Sequence, residues 1–242
     1  MTSRLLSAAI VVLCVLPIAN AQSINVTRRT VTYRRPKPQV AFKKTFTITY
    51  PRIKAATPTV SRRIEQALSY FKAFDFTLKE EVTDLQWLES ADFTTDVNQN
   101  GVLSVTLSIE GSAAYPDGSS RHIVVDTKTG ARAHSEDVFT DLNRLASVIN
   151  GRMQKEIKSQ IEEIKQDPKT RDVDADELFA EKTFALESLE DFSVGKNGVT
   201  FYYDYGFPHV IEALQPSGEF AFTWAELKPF IKRGGLLARF VR

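Results

Sequence analysis

An Asn-Gly pair at 100–101, set between two runs of apolar residues, constrains this chain more than any other feature. The centre of a two-residue hairpin loop needs a left-handed backbone, which Asn and Gly accept at low cost, so Asn98-Gln99-Asn100-Gly101 predicts a tight antiparallel turn. After it, Leu103, Val105, Leu107 and Ile109 alternate with Ser104, Thr106 and Ser108, the period of a strand with one buried face. The same reading applies to 93–97 before the turn and to about 121–126, beyond Tyr115-Pro116-Asp117-Gly118. A second hairpin is expected at 192–194 and 199–203 around Lys196-Asn197-Gly198, with a last strand through Phe220, Phe222 and Trp224. Phe46, Ile48 and Tyr50, alternating with threonines, predict a first strand that Pro51 ends.

Helical spacing appears in two main places. Thr57 and Pro58 form a start signal, followed by Val60, Ile64, Ala67, Leu68 and Phe71 on one face. The longest periodic run, 142–165, carries Leu142, Leu145, Ile149, Met153, Ile157, Ile161 and Ile164 on one stripe, with Thr140 or Asp141 as its expected cap and Asp167-Pro168 as its stop. Short helices are expected near 177–182 and 225–232, and residues 74–88 read as strand or irregular. The predicted class is α+β, an antiparallel sheet of hairpins or meander covered by two main helices.

The N-terminus predicts export. Arg4, an apolar run over 5–17, and Ala19-Asn20-Ala21 match the three parts of a cleavable signal peptide, here 1–21. The apolar run falls short of the ~20 residues a membrane-spanning helix needs. Cys14, the only cysteine, would leave with the leader, which removes thiol catalysis and Cys-ligated zinc. Residues 22–43 read as a basic, proline-containing linker, 44–233 as the domain, with a subdomain boundary allowed near 90, and 234–242 as a tail. Residues 22–63 hold eleven Lys or Arg and no carboxylate, whereas 64–242 hold nineteen basic against thirty acidic residues, a net of −11. Such segregation suits an anionic surface at one end and a cationic partner at the other.

Several weak motifs then follow one another in a recognisable order: Thr49-Tyr50-Pro51 before a helix, Gly101-Val102-Leu103-Ser104-Val105, Val124-Val125-Asp126-Thr127-Lys128-Thr129-Gly130, Gly198-Val199-Thr200-Phe201-Tyr202-Tyr203, and Phe222-Thr223-Trp224-Ala225-Glu226-Leu227. In that order, over about 44–230, the chain resembles the extracytoplasmic domain shared by RsiV-type anti-sigma factors and PdaC-type peptidoglycan deacetylases, a domain catalogued without a function. The resemblance implies a binding module rather than a catalyst, in a family that includes a lysozyme-binding sensor. The expectation is that sensor-type domain alone, with neither a transmembrane anchor after processing nor a deacetylase domain.

Local signs of catalysis are weak. His122, His134 and His209 have no second histidine at helical metal-pair spacing and read as structural or surface residues. Glu80-Glu81 and Glu162-Glu163 are sequence neighbours whose side chains would point apart on a helix. Asp172, Asp174 and Asp176 alternate as in a calcium loop, but Glu177 stands where that loop needs glycine. No metal, cofactor or nucleic acid is expected. Aromatic density peaks at 201–207, and the cluster reads either as core or as a contact surface; on the second reading Tyr205, Phe207, Pro208 and His209 are the expected contact residues, on a loop stiffened by proline. The function expected is binding of a cationic wall-active protein such as a lysozyme, or of a cell-wall polymer. A peptidoglycan or glycan hydrolase built on a carboxylate pair, and an envelope assembly factor, are the alternatives.

Overall fold

The computed structural model describes residues 23–241. The expected signal peptide, 1–21, lies outside them. Five strands, β1 (Asn25–Arg34), β2 (Thr45–Lys54), β3 (Leu88–Gln99), β4 (Val102–Ser112) and β5 (Pro116–Asp126), make one sheet in that order. Every neighbouring pair is antiparallel except β2–β3, which is parallel over Thr47–Ser90 and Ile48–Ala91. A parallel pair needs a crossover, and three helices supply it: α1 (Pro58–Ala67), α2 (Tyr70–Ala73) and α3 (Leu78–Thr83). After β5 come α4 (Ser135–Val138), α5 (Leu142–Gln166) and α6 (Ala175–Phe179), then an antiparallel three-stranded sheet of β6 (Phe192–Val194), β7 (Gly198–Tyr202) and β8 (Glu219–Thr223), and α7 (Trp224–Leu227). The fold is mixed α+β, as the periodicities predict. No helix among the described residues is long and apolar enough to cross a membrane.

Strand β4 is buried on both faces. Leu103, Val105, Leu107 and Ile109 pack with Ile64, Leu68 and Tyr70 from α1 and α2, whereas Val102 joins the core made by α5 and the second sheet. The next strand divides in the same way, Ile123 and Val125 to one side and Val124 to the other. The larger sheet is therefore a middle layer. On α5 the buried residues are Leu145, Ile149, Met153, Ile157 and Ile164 of the predicted stripe, together with Ala146, while Leu142 and Ile161 of that stripe are half-buried against the same core.

The expected hairpin forms as predicted, with Asn100 and Gly101 both at positive φ. Gly101, at φ +76°, takes the left-handed backbone the turn needs, and Arg239 Nη1 donates to the neighbouring Asn100 carbonyl at 2.8 Å. Thr57 caps α1 by accepting from the Val60 amide, also as predicted. The segment 74–88 contains α3, announced by a reciprocal cap between Thr77 and Glu80 that the hydrophobic pattern does not reveal. Asp141 precedes α5 but does not cap it with its side chain.

Several boundaries differ from the sequence reading. Pro51 lies inside β2, past the last pair with β3, where its missing N–H costs no bond on that side. Pro116-Asp117-Gly118, expected as a turn, begins β5 at the edge of the sheet, where a first-position proline is tolerated. Position 90 is in β3, paired on both sides. Residues 236–240 of the expected tail form a 3-10 turn that buries Leu237 and stacks Phe240 on Trp224 at 4.6 Å.

The expected linker is the largest correction. Residues 25–34, rich in Thr, Val and Tyr, form edge strand β1 along the full length of β2. Arg35 is buried behind it. Its Nε donates to the Glu81 carbonyl at 3.0 Å, Nη1 to the Lys43 carbonyl at 3.2 Å, and Nη2 to Glu81 Oε2 at 3.3 Å and the Leu88 carbonyl at 2.7 Å. Its guanidinium also lies 4.5 Å above the Phe46 ring. Lys43 is buried as well, with Nζ bonded to the carbonyls of Gln86 and Ser112. Removing one member of such a pair leaves an uncompensated buried charge, so Arg35→Ala should cost about 3–5 kcal/mol in urea unfolding.

Candidate functional site

The start of β5, the residue before β6, and the segment from β7 to β8 enclose a polar groove of about 600 Å³. Strand order puts it where the two sheets meet. His122 of β5 is 8% exposed, and its Nδ1 lies 2.7 Å from Asp191 Oδ1, which also accepts from the His122 amide at 3.2 Å. The imidazole stacks on Tyr202 of β7, centroids 3.4 Å apart and planes within 6°. Tyr202 Oη in turn shares a hydrogen bond of 2.9 Å with Ser193 Oγ. Burial raises the Tyr202 pKa, and the charges of Glu219, Asp96 and Asp191 push the same way.

Asp96 of β3 is held by the hydroxyls of Ser104 and Thr106, each 3.1 Å away. Much of the residue is open to solvent, but its carboxyl lies against the sheet. Desolvation there raises its pKa above the ordinary carboxylate range, opposed by those hydroxyls and by His122. Ser104 also accepts from the Val194 amide at 3.0 Å, tying the two sheets together. Among the described residues lining the groove, Asp117, Asp191, Asp204, Glu212 and Glu219 face a single strong cation, Arg121, so the groove favours positive charge. Tyr202, Tyr203 and His209 add flat faces.

The four expected contact residues part company. Tyr205 is 1% exposed and belongs to the core, packed edge-on against Tyr203 and Phe179 at 5.0 and 6.0 Å. Its expected role as a contact residue is corrected, because strand alternation continues past β7 and turns this ring inward. Phe207 is half-buried, 5.2 Å from Phe179, and also lines the groove. Pro208 is exposed, and His209 is exposed and stacks on Tyr115 at 5.2 Å. Gly206, at φ +63°, makes the bend between the inward and outward rings, its amide bonded to Asp204 Oδ1 at 2.7 Å.

The other candidates are absorbed by structure. Half-exposed His134 meets Glu190 Oε2 at 2.8 Å. Burial pushes the Glu190 pKa up, but hydrogen bonds from Ser135 and His134 outweigh it and hold the carboxyl below its usual range. Asp174 caps α6 and Asp176 pairs with Lys165. Glu80 caps α3 while Glu81 turns to Arg35. Among the described residues no group of three or more metal-ligating side chains is placed to hold an ion. Sequence reasoning missed the His122–Asp191 pair, whose members are 69 positions apart and share no local pattern.

No protein-family model matches this chain, and no curated protein is a significant match. Its fold is that of DUF3298 family proteins. The crystal structure of one from Pseudomonas aeruginosa PAO1 superimposes with a TM-score of 0.52 at 13% identity, covering 88% of this chain and 96% of that one. Another, from Bacteroides fragilis NCTC 9343, gives 0.56 at 14% identity, over 90% and 99%. At this identity the likeness defines the fold.

Two predictions follow from the site. Tyr205 Oη has no hydrogen-bond partner among the described residues, so Tyr205→Phe should change stability by less than about 1 kcal/mol, whereas Tyr205→Ala should cost a core-like ~3–5 kcal/mol. Asp96 tests linkage. Its raised folded pKa means that, between the ordinary carboxylate range and the raised value, the folded state binds more protons than the unfolded one. Its contribution to stability therefore falls as pH rises through that window. Asp96→Asn should gain on the parent above the window and match it below, read from urea midpoints across pH.

Proposed function

We propose that this chain is an exported, non-catalytic binding module of the cell envelope, related to the RsiV-type and PdaC-type extracytoplasmic domains, whose groove receives a cationic wall-active protein such as a lysozyme. The observation that carries the reading is the groove's lining of five carboxylates to one arginine, beside the flat faces of Tyr202, Tyr203 and His209. A like-signed cluster of carboxylates draws an oppositely charged partner from beyond contact range. The −11 of residues 64–242 adds to that field.

The groove's chemistry supports binding over turnover. His122 has a carboxylate to orient it, but no hydroxyl is hydrogen-bonded to it among the described residues, and Tyr202 covers one ring face. A nucleophile–base pair needs that contact. Leader residues with the pattern of a signal peptide support placement outside the cytoplasm.

The test is binding of lysozyme to the immobilised protein at low and moderate salt. The triple variant Asp204→Asn, Glu212→Gln and Glu219→Gln, all exposed positions, should keep its melting temperature and weaken binding by roughly tenfold or more, mainly through slower association. Association unchanged in the triple variant, or unaffected by salt, would remove the groove from the interface.

A further inference from the structure

A second cavity, of about 460 Å³, lies at the other end of β5, against α1, α2 and the turn that follows the strand. The eleven residues of β5 span roughly 35 Å at ~3.3 Å each, so this cavity and the acidic groove are separate sites. Its lining has the opposite charge. Arg63 from α1, Lys72 from α2 and Arg132 from beyond the turn converge on it, joined by Gln66 and Thr129, with no carboxylate among the lining residues. None of the three cations makes an ion pair among the described residues. Four other cations of the same lobe are engaged: Arg28 with Asp92, Arg35 with Glu81, Arg52 with Glu65, and Lys43 with two carbonyls.

Two carboxylates near in sequence to the lining have other partners. Glu65, the one carboxylate of α1, is turned away to Arg52 and the Ile53 amide. Asp126, at the end of β5, accepts from the Lys128 amide at 2.8 Å. Gly130, at φ +77°, lets the turn close onto α1. A Cβ there would come within 2.7 Å of Arg63 Cβ and 3.0 Å of the Val60 carbonyl, so glycine brings the Arg132 turn against the Arg63 helix. The remaining lining is small: Ala67, Ala73 and Ala131. Three long cations thus stand around a shallow, mostly apolar floor.

We propose that this cavity binds phosphate, as a monoester or diester carried on a small molecule, a repeating anionic polymer or a lipid headgroup. Two guanidinium forks and one ammonium match a tetrahedral oxyanion better than a single planar carboxylate, since each fork spans two oxygens. The volume leaves room for the glycerol or sugar unit next to the phosphate, which the alanines would contact. None of the residues lining the acidic groove lines this cavity.

The experiment is an amide-resolved NMR titration of the purified protein with pyrophosphate, with a glycerol-phosphate oligomer, and with vesicles containing phosphatidylglycerol. Saturable shifts at Gly130 and Ala131 are expected with pyrophosphate or the oligomer. The double variant Arg63→Ser/Lys72→Ser and the single variant Arg132→Ser should each weaken binding roughly tenfold or more, while Lys54→Ser, an exposed cation outside the cavity, should stay within about twofold. All three should melt with the parent protein. Vesicle binding that pyrophosphate displaces would assign the phosphate to a headgroup, and oligomer binding without vesicle binding would assign it to a polymer. The proposal is overturned if Lys54→Ser weakens binding as much as the cavity variants do, if pyrophosphate and the oligomer give no saturable shift, or if vesicles bind without competition from pyrophosphate.

Discussion

Burial of β4 on both faces is the constraint on which the rest of the structure depends. A strand covered on one side only would need a single alternating set of apolar residues. This one carries Leu103, Val105, Leu107 and Ile109 for α1 and α2, and Val102 and Ser104 for the second core. Ser104 is fully buried and is satisfied on both sides, donating to Asp96 and accepting from the Val194 amide. A buried hydroxyl without partners would cost about 1–3 kcal/mol, so this bond fixes where β6 docks on the larger sheet. His122 and Asp191 repeat the arrangement one strand over. The groove exists because two sheets meet along a polar seam that opens at its solvent end.

The same seam sets the path of the loop after β7. Tyr205 goes into the core beside Phe179, and Lys182 donates to its carbonyl at 2.6 Å. Gly206 then reverses the chain, so Phe207 is half-covered and His209 reaches Tyr115 on the β4–β5 connection. Anchoring one aromatic ring inside positions the next ones outside. Mutation of the buried Tyr205 ring would therefore act through folding.

Much of the fold was legible because its signals are local. The Asn100-Gly101 turn, the Thr57-Pro58 helix start and the Leu145-to-Ile164 stripe need only neighbours within a few positions, and all three appear as read. What was not legible depends on distant partners. β1 reads as linker from its polar, basic composition and the Arg35-Pro36-Lys37-Pro38 that follows, yet an edge strand tolerates charge and Arg35 finds its acceptors as many as 53 positions away. Trp224 and the Phe240 that stacks on it are equally separate in pattern. At the site, the aromatic cluster is visible in the sequence, and alternation carries Tyr205 inward, but the bend at Gly206 that turns Phe207 to the groove and His209 onto Tyr115 depends on contacts distant in sequence.

Charge segregation along the chain also changes meaning once the chain is folded. Counted in sequence, residues 22–63 form a basic arm. In the fold, Arg28, Arg35 and Arg52 are matched by Asp92, Glu81 and Glu65, all drawn from the acidic remainder, and Lys43 is spent on backbone carbonyls. Paired charges project little field beyond a Debye length of ~8 Å at physiological salt. The field that reaches solvent is therefore set by the charges left over, and these are not spread evenly. Arg63, Lys72 and Arg132 gather around one cavity at the far end of β5, and Asp117, Asp204, Glu212 and Glu219 around the groove at its start. Each end of β5 thus gathers charges of one sign from distant parts of the chain, which the order of residues in the sequence does not show.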